Sequence, residues 1–228
     1  MVSVVMEICK KELKTRFGSK RVLLPMLIPI GMPILIFIPR LLEVMSQTDL
    51  ESEFLRFLLF LILPVMVTTL VGITTFINEI RWKTIKSLLV APVSEGEIFI
   101  GKSLACIIAG ILTQTFLSII IVFSVKIADI SVVLLLFVIG PLTVIFTTFI
   151  FVMGTSRFPT IAEGGGAILM PTSGLLIIFI IFLILRAFLQ ITVMLSYLTL
   201  ALVIVILICI TYLLGIRWFN RETLLLTI

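Results

Sequence analysis

Long apolar stretches separated by short polar connections make up most of the chain. A helix that crosses a bilayer needs about 20 mostly apolar residues, and six stretches approach or exceed that length. They lie at about residues 22–39, 55–77, 103–125, 131–153, from 164 to just before Arg186, and 192–214. This pattern predicts an all-α integral membrane protein with six transmembrane helices, forming a single domain over residues 1–228.

The composition supports the same class of protein. Hydrophobic residues make up 61% of the 228 positions and the mean hydropathy is +1.37, far above the range of soluble globular domains. The spans and their connections use nearly the whole chain, which leaves no room for a folded soluble domain. A module that converts energy would therefore belong to another chain.

The first 20 residues carry a different pattern. Val5, Cys9, Leu13 and Phe17 follow one another at four-residue spacing, while lysines and an arginine occupy the other faces. The spacing predicts a basic amphipathic helix that lies in the membrane interface, attracted by anionic lipid headgroups and by apolar burial. The alternative is the solvated charged face of a soluble helix.

Residues 78–102 form the longest polar interval between two apolar runs. Three cations stand beside a pair of leucines, and Pro92 then ends that helix before two glutamates open the next one. The cations are Arg81, Lys83 and Lys86, and the leucines are Leu88 and Leu89. We expect a short amphipathic helix, a turn and a helix start at a membrane surface, with the leucine face docked on another body.

The distribution of positive charge predicts the topology. The formal net charge of +5 could suggest nucleic acid, but positive residues of membrane proteins gather in cytoplasmic segments. With six spans and both termini in the cytosol, the inside cations are Lys10, Lys11, Lys14, Arg16, Lys20, Arg21, Arg81, Lys83, Lys86, Lys102, Arg157, Arg217 and Arg221. The outside cations are Arg40, Arg56, Lys126 and Arg186. This asymmetry favours a membrane surface over nucleic acid as the partner of the basic residues.

Several chemistries lack the residues that they need. The chain has no histidine, its three cysteines are isolated, and no span carries a charged residue near its middle. Zinc hydrolysis, histidine-ligated haem and serine–histidine catalysis are therefore excluded, and ion-coupled transport loses its usual groups. We predict no catalytic residue, no metal site and no cofactor site in this chain.

One motif is misleading. Gly96, Gly101, Lys102 and Ser103 satisfy the GxxxxGK[ST] pattern of a phosphate-binding loop. The residues between the glycines include bulky Ile98, Phe99 and Ile100, which resist the turns that such a loop requires. The apolar run that follows predicts a span instead of a nucleotide site.

Small and polar positions inside the spans are candidates for a transport pathway. Prolines remove backbone donors and glycines weaken helices, so such positions are tolerated where protein or a cavity covers the backbone. The fifth span, with its glycines and a proline, is predicted to be a poor continuous helix. A bend is also expected at Gly140 and Pro141. The pathway candidates are Pro25, Pro29, Pro33, Thr68, Thr69, Pro171, Ser173 and Gly174.

The interval at residues 78–102 resembles the cytosolic loop of ABC-2 type transporter permeases. The resemblance rests on an acidic residue, a threonine, a leucine pair, a Pro-Val-Ser run and a Gly-Lys at the start of the third span. In this sequence they are Glu79, Thr84, Leu88, Leu89, Pro92, Val93, Ser94, Gly101 and Lys102. Two positions depart from the family pattern, because Lys83 replaces a glycine and Lys86 replaces an acidic residue.

The resemblance implies a permease subunit of an ATP-binding-cassette exporter in the cell membrane. Residues 1–20 would be an interfacial elbow helix, and residues 78–102 would be the coupling loop that contacts a cytosolic ABC ATPase subunit. A second permease subunit, identical or related, would complete a dimer. The coupling residues would be Glu79, Arg81, Lys83, Thr84, Lys86, Leu88, Leu89, Pro92 and Val93. The alternatives are an ion-coupled carrier or channel and a membrane scaffold subunit.

Overall fold

The computed structural model describes residues 2–17, 50–73, 77, 93–125, 130–158, 166–188, 190 and 192–218. Within these ranges every regular element is a helix. The α-helices are α1 (Val2–Phe17), α2 (Leu50–Gly72), α3 (Glu95–Val125), α4 (Ile130–Leu134), α5 (Gly140–Arg157), α6 (Leu169–Leu183) and α7 (Val193–Trp218). A π-helical segment, Leu135–Ile139, joins α4 to α5; a 3₁₀ turn, Gly166–Ile168, precedes α6, and a second π-helical segment, Ile184–Phe188, follows it.

Five helical stretches in the described residues are long and apolar enough to cross a membrane. They are Phe54–Gly72, Glu95–Phe123, Ile130–Arg157, Gly166–Ala187 and Val193–Trp218. They correspond to the second to sixth predicted spans. The prediction of a multi-pass membrane protein is therefore confirmed for these five spans, by their length and apolar composition. The first predicted span, with Pro25, Pro29 and Pro33, lies outside the described residues.

Helix α5 lies at the centre of the bundle and packs against α2, α3, α6 and α7. Two aromatic clusters mark the two ends. At one end, Phe57 stacks on Phe182 with ring centroids 4.2 Å apart, and Tyr197 stacks on Phe182 at 5.3 Å. At the other end, Phe99 stacks on Phe149 at 5.8 Å. We call the second of these the α1 end, because α1 packs against α3 there, and the first the opposite end.

The outer surface of the bundle is apolar. Large side chains such as Leu198, Leu202 and Leu213 on α7, and Leu176 and Ile180 on α6, are exposed. An apolar surface of this extent suits a hydrocarbon environment and not water.

The fifth span is more regular than the sequence predicts. Helix α6 runs without interruption through Pro171, Ser173 and Gly174, so the expected break at these positions is wrong. The reason is position: Pro171 lies in the first turn, where a backbone N–H has no partner within the helix and its absence costs little. The breaking residues mark the start of the helix instead of its middle.

The fourth span is irregular next to the position where a bend is expected. The π-helical segment ends at Ile139, immediately before Gly140 and Pro141. The span is thus α-helical on both sides of one wide turn, and this turn lies against α3.

Candidate functional site

Most of the predicted coupling residues fall outside the described part of the chain. These are Glu79, Arg81, Lys83, Thr84, Lys86, Leu88, Leu89 and Pro92. The two flanks of the loop are described, and both belong to one apolar cluster. Ile77 is buried in it with Ile98 and Phe99, and half-buried Val93 packs against it. Both ends of the loop are therefore anchored at the α1 end of the bundle.

A capping box begins α3 directly after the loop. The Ser94 backbone N–H and hydroxyl both donate to Glu97 Oε2, at 2.9 and 2.8 Å, and the Glu97 N–H donates back to Ser94 Oγ at 3.3 Å. The S-x-x-E spacing satisfies backbone donors that a helix start would otherwise leave unpaired. As a result α3 begins at Glu95, well before the apolar run at 103, and the loop has a firm end point.

A buried ion pair joins α1 to α3 two turns further along. Lys102 Nζ lies 3.0 Å from Glu12 Oε1, and the side chains are only 1% and 7% exposed. Next to it, Gly101 faces Ile8 of α1 so closely that an added Cβ would lie 2.8 Å from Ile8 Cγ2. The absence of a side chain at residue 101 therefore lets α1 approach α3 closely.

Sequence reasoning missed Glu12. The residue lies on the same helix face as Val5, Ile8 and Cys9, which is the apolar stripe of α1. An acidic side chain on an apolar stripe is a signal that a buried cation is nearby, because an unpaired buried carboxylate is costly. The partner, 90 residues away, could not be read from local spacing.

The apolar face of α1 is used against protein. Ile8 and Cys9 are buried, whereas Glu7, Lys10, Lys11 and Lys14 remain exposed, as does the apolar Met6. The predicted helix is therefore present, with its apolar stripe directed largely at α3, and its position in the membrane interface stays a prediction. Burial, and secondarily the charge of Glu12, raises the pKa of the Cys9 thiol, so it is protonated at neutral pH.

The residues of the phosphate-loop pattern all lie in α3. Gly96, Gly101 and Ser103 belong to its first turns, and the Lys102 amine is engaged by Glu12. In a regular helix the backbone N–H groups bond to carbonyls and do not converge on a phosphate. The rejection of this motif thus has a structural basis.

The described pathway candidates separate into two groups. Thr69 lines an apolar groove of about 380 Å³ between α2 and α6, together with Thr172. The remaining lining residues are Leu58, Ile62, Val65, Met66, Leu70, Ile168, Leu175 and Leu176. Ser173 is exposed on α6. Thr68, Pro171 and Gly174 are buried: Thr68 faces Gly110 of α3, and Gly174 lies against Ile150 and Thr147 of α5.

Most hydroxyl groups of the described bundle residues are satisfied by their own helix. Thr69 donates to the Val65 carbonyl at 2.7 Å, and Thr143, Thr148 and Thr155 bond carbonyls one turn earlier at 2.7–2.9 Å. Such bonds let hydroxyls reside in an apolar interior without a partner helix. Thr68 is satisfied in the same way by the Pro64 carbonyl, so neither threonine presents a free hydroxyl donor to a pathway.

Two polar side chains also reach across helices. Gln114 Nε2 of α3 donates to the Leu136 carbonyl at 3.2 Å. The Ser118 hydroxyl donates to the Gln114 carbonyl of its own helix at 2.8 Å and shares its proton with the Leu136 carbonyl at 3.2 Å. Both side chains therefore contribute to hydrogen bonding between α3 and the fourth span. In the described residues, all three cysteines are free thiols, and no group of three potential metal-ligating side chains occurs.

Comparisons of this chain with models of protein families, with curated proteins and with solved structures find no match.

Proposed function

We propose that the chain is the membrane-spanning permease subunit of an ATP-binding-cassette exporter of the ABC-2 type. The observation that carries the proposal is the polar interval at residues 78–102. Its motif resembles the coupling loop of that family, and its flanks, Ile77 and Val93, converge on one apolar cluster. Anchored flanks suit a loop that transmits force from an ATPase to a membrane helix.

The charges of the described residues support a cytosolic α1 end. Lys10, Lys14, Lys102, Arg157 and Arg217 belong to that end, whereas Arg56 and Arg186 belong to the opposite one. By the positive-inside rule the α1 end faces the cytosol of a cell membrane. The interval at 78–102 then lies where a soluble ATPase subunit can reach it.

A sixth crossing fits this arrangement. Helix α1 packs against the start of α3 at one end of the bundle. Helix α2 begins near Phe54, which contacts Phe179 and Phe182 at the opposite end. The chain between these helices has to connect opposite ends of the bundle. We infer that the apolar run at residues 22–39 makes this crossing, so that both termini lie in the cytosol.

Within this proposal, two permease subunits, identical or related, form a dimer around the substrate pathway. The groove between α2 and α6 offers an apolar wall with hydroxyl-bearing Thr69 and Thr172. Such a wall suits a largely apolar cargo, because it offers few polar groups that could replace the water around a polar cargo. Each subunit presents Leu88 and Leu89 as the apolar contact to its ATPase, with the loop cations as a polar rim.

The deciding experiment is a mild-detergent purification of the tagged chain from its native membranes. We expect an ABC ATPase subunit to co-purify with the natural chain and to be lost from a Leu88→Asp, Leu89→Asp double variant. The matched control is Leu224→Asp, Leu225→Asp, the same change in the C-terminal residues that we place in the cytosol.

Loss in both double variants would mean that acidic substitutions act non-specifically. If no ATPase co-purifies while other membrane complexes survive, the proposal is wrong. An ion-coupled carrier or a membrane scaffold would then take its place, and transport driven by an ion gradient would separate those two.

A further inference from the structure

The register of the wide turn in the fourth span calls for one backbone donor that the sequence does not supply. The Gly140 N–H donates to the Leu135 carbonyl, five residues earlier. Following the same register, the Leu136 carbonyl would need the N–H of residue 141, and that residue is proline. An unpaired carbonyl in an apolar interior is costly, so this position requires a substitute donor.

Helix α3 supplies that donor. The Leu136 carbonyl accepts a hydrogen bond from Gln114 Nε2 at 3.2 Å, and a weaker share of the Ser118 hydroxyl, which also donates to the Gln114 carbonyl at 2.8 Å. Gln114 is 0% exposed, and its orientation follows from chemistry, because its oxygen would otherwise face another acceptor. The amide oxygen Oε1 has no partner among the described residues, so the side chain gives up one bond to make this one.

Packing holds Gln114 in this place. A Cβ added at Gly140 would lie 1.9 Å from Gln114 Nε2 and 2.5 Å from its Cδ. Residue 140 therefore has to be glycine for the amide to reach the Leu136 carbonyl. The Gly140-Pro141 pair both opens the carbonyl and clears the space for its substitute donor.

The same helix carries the loop anchor and this contact. Gln114 lies about 18 Å along α3 from Lys102, by the rise of an α-helix. A helix that moves as one rigid rod would carry a displacement of its first turns to the wide turn of the fourth span.

We propose that Gln114 is a positioning residue that replaces the missing N–H of Pro141 and couples α3 to a hinge at Leu135–Ile139. The hydrogen-bond substitution stands on the geometry alone. The role in transport rests on the proposed function, in which movement of the 78–102 loop reaches the fourth span through α3.

The replacement of the Pro141 N–H by Gln114 is tested by a double-mutant cycle on thermal unfolding of the purified full chain. Unfolding is followed with a thiol-reactive fluorophore, since buried Cys9 and Cys106 become reactive when the fold opens. We expect Gln114→Leu to lower the unfolding midpoint by about 3–8 °C in the natural sequence. In a Pro141→Ala background, where residue 141 regains its N–H, the same substitution should cost less than half as much. Equal shifts in both backgrounds would mean that Gln114 does not replace the missing N–H of Pro141.

A second cycle keeps the test independent of Pro141. Gly140→Ala should lower the midpoint strongly when Gln114 is present, because its Cβ occupies the amide position. In a Gln114→Ala background the space is free and the added loss should be small. A loss of equal size in both backgrounds would contradict the placement of Gln114.

The transport role is tested on the co-purified ATPase complex. We expect Gln114→Leu to retain the ATPase subunit but to reduce its ATP hydrolysis several-fold, whereas the Leu88, Leu89 double variant loses the subunit. Unchanged hydrolysis with a lowered midpoint would overturn the coupling of α3 to the hinge. It would still support Gln114 as the replacement for the Pro141 N–H. Absence of an ATPase would defeat the proposed function, and the two thermal cycles would still decide the role of Gln114.

Discussion

The α1 end and the bundle interior place polar groups in apolar surroundings by different means. At the α1 end, Glu12 and Lys102 come from elements 90 residues apart and bind each other as charges. In the interior, neutral hydroxyls such as Thr143 and Thr155 bond carbonyls of their own helix. The first contact fixes two elements relative to each other, whereas the second leaves the arrangement of helices unchanged.

The two kinds of polar contact also differ in the free energy that is lost when one partner is removed. Removing one partner of a buried ion pair leaves an uncompensated charge, which costs about 3–5 kcal/mol. Removing a hydroxyl that duplicates a helix bond leaves a carbonyl that already has its backbone donor. Polar residues in this protein therefore matter for its architecture when they cross between elements.

The largest effect is expected at the α1 end. Lys102→Met leaves the Glu12 carboxylate buried and unpaired, so we expect the free energy of unfolding to fall by about 3–5 kcal/mol. The measurement is the unfolding midpoint of the purified protein, with the reactivity of Cys9 as a local reporter of whether α1 has left α3. Cys9 is buried on α1, one turn before Glu12, and should react faster once α1 detaches.

Two matched variants serve as controls for the Lys102→Met result. Glu12→Leu combined with Lys102→Met removes both charges and should recover most of the loss, since an apolar pair can replace a buried ion pair. Lys14→Met removes an exposed cation of the same helix and should change stability by less than about 0.5 kcal/mol. If Lys102→Met behaves like Lys14→Met, the ion pair contributes nothing and the comparison between the two regions fails.

The sequence predicts the spans well because hydropathy depends on composition alone. The apolar runs behind Phe54–Gly72 and Val193–Trp218 needed no information on neighbouring helices. A bend is predicted at Gly140 and Pro141, and the π-helical segment ends directly before them, because both residues act locally. The misjudged region is the start of α6, where Pro171 is harmless in a first turn and would be disruptive only further along.

The site is harder to predict because its contacts join distant parts of the chain. Glu12 and Lys102 are separated by 90 residues, and nothing in the local pattern of α1 points to α3. The choice of Gln114 as a donor to Leu136 depends on the register between two helices, which hydropathy does not set. The coupling role of the 78–102 loop stays a prediction, since Leu88 and Leu89 lie outside the described residues.

An intermediate effect is expected at Gly101, where α1 meets α3. In Gly101→Ala the new Cβ would lie 2.9 Å from Ile8 Cβ, an atom close to the backbone that cannot swing away. We expect a loss of about 1–3 kcal/mol from overpacking, measured as a lower unfolding midpoint. Gly96→Ala is the control, because its Cβ would meet nothing nearer than Ile216 Cγ2 at 3.9 Å.

The Gly96 control should be neutral or slightly stabilising, since alanine favours a helix over glycine. Should both glycine variants be equally stable, close contact between α1 and α3 does not constrain the protein. Should both be destabilised alike, the cause would be the change of residue type and not the neighbouring helix.

The smallest effect is expected in the bundle interior. Thr155 donates to the Phe151 carbonyl of its own helix at 2.9 Å, so Thr155→Val keeps the shape and removes a bond that the backbone duplicates. We expect a change of less than about 1 kcal/mol in the free energy of unfolding. Ser118→Ala is the informative partner, because the Ser118 hydroxyl also donates to the Leu136 carbonyl of the fourth span. A larger loss in Ser118→Ala than in Thr155→Val would support the distinction between crossing and local polar contacts, whereas the reverse order would mean that hydroxyl burial, and not its partner, sets the cost.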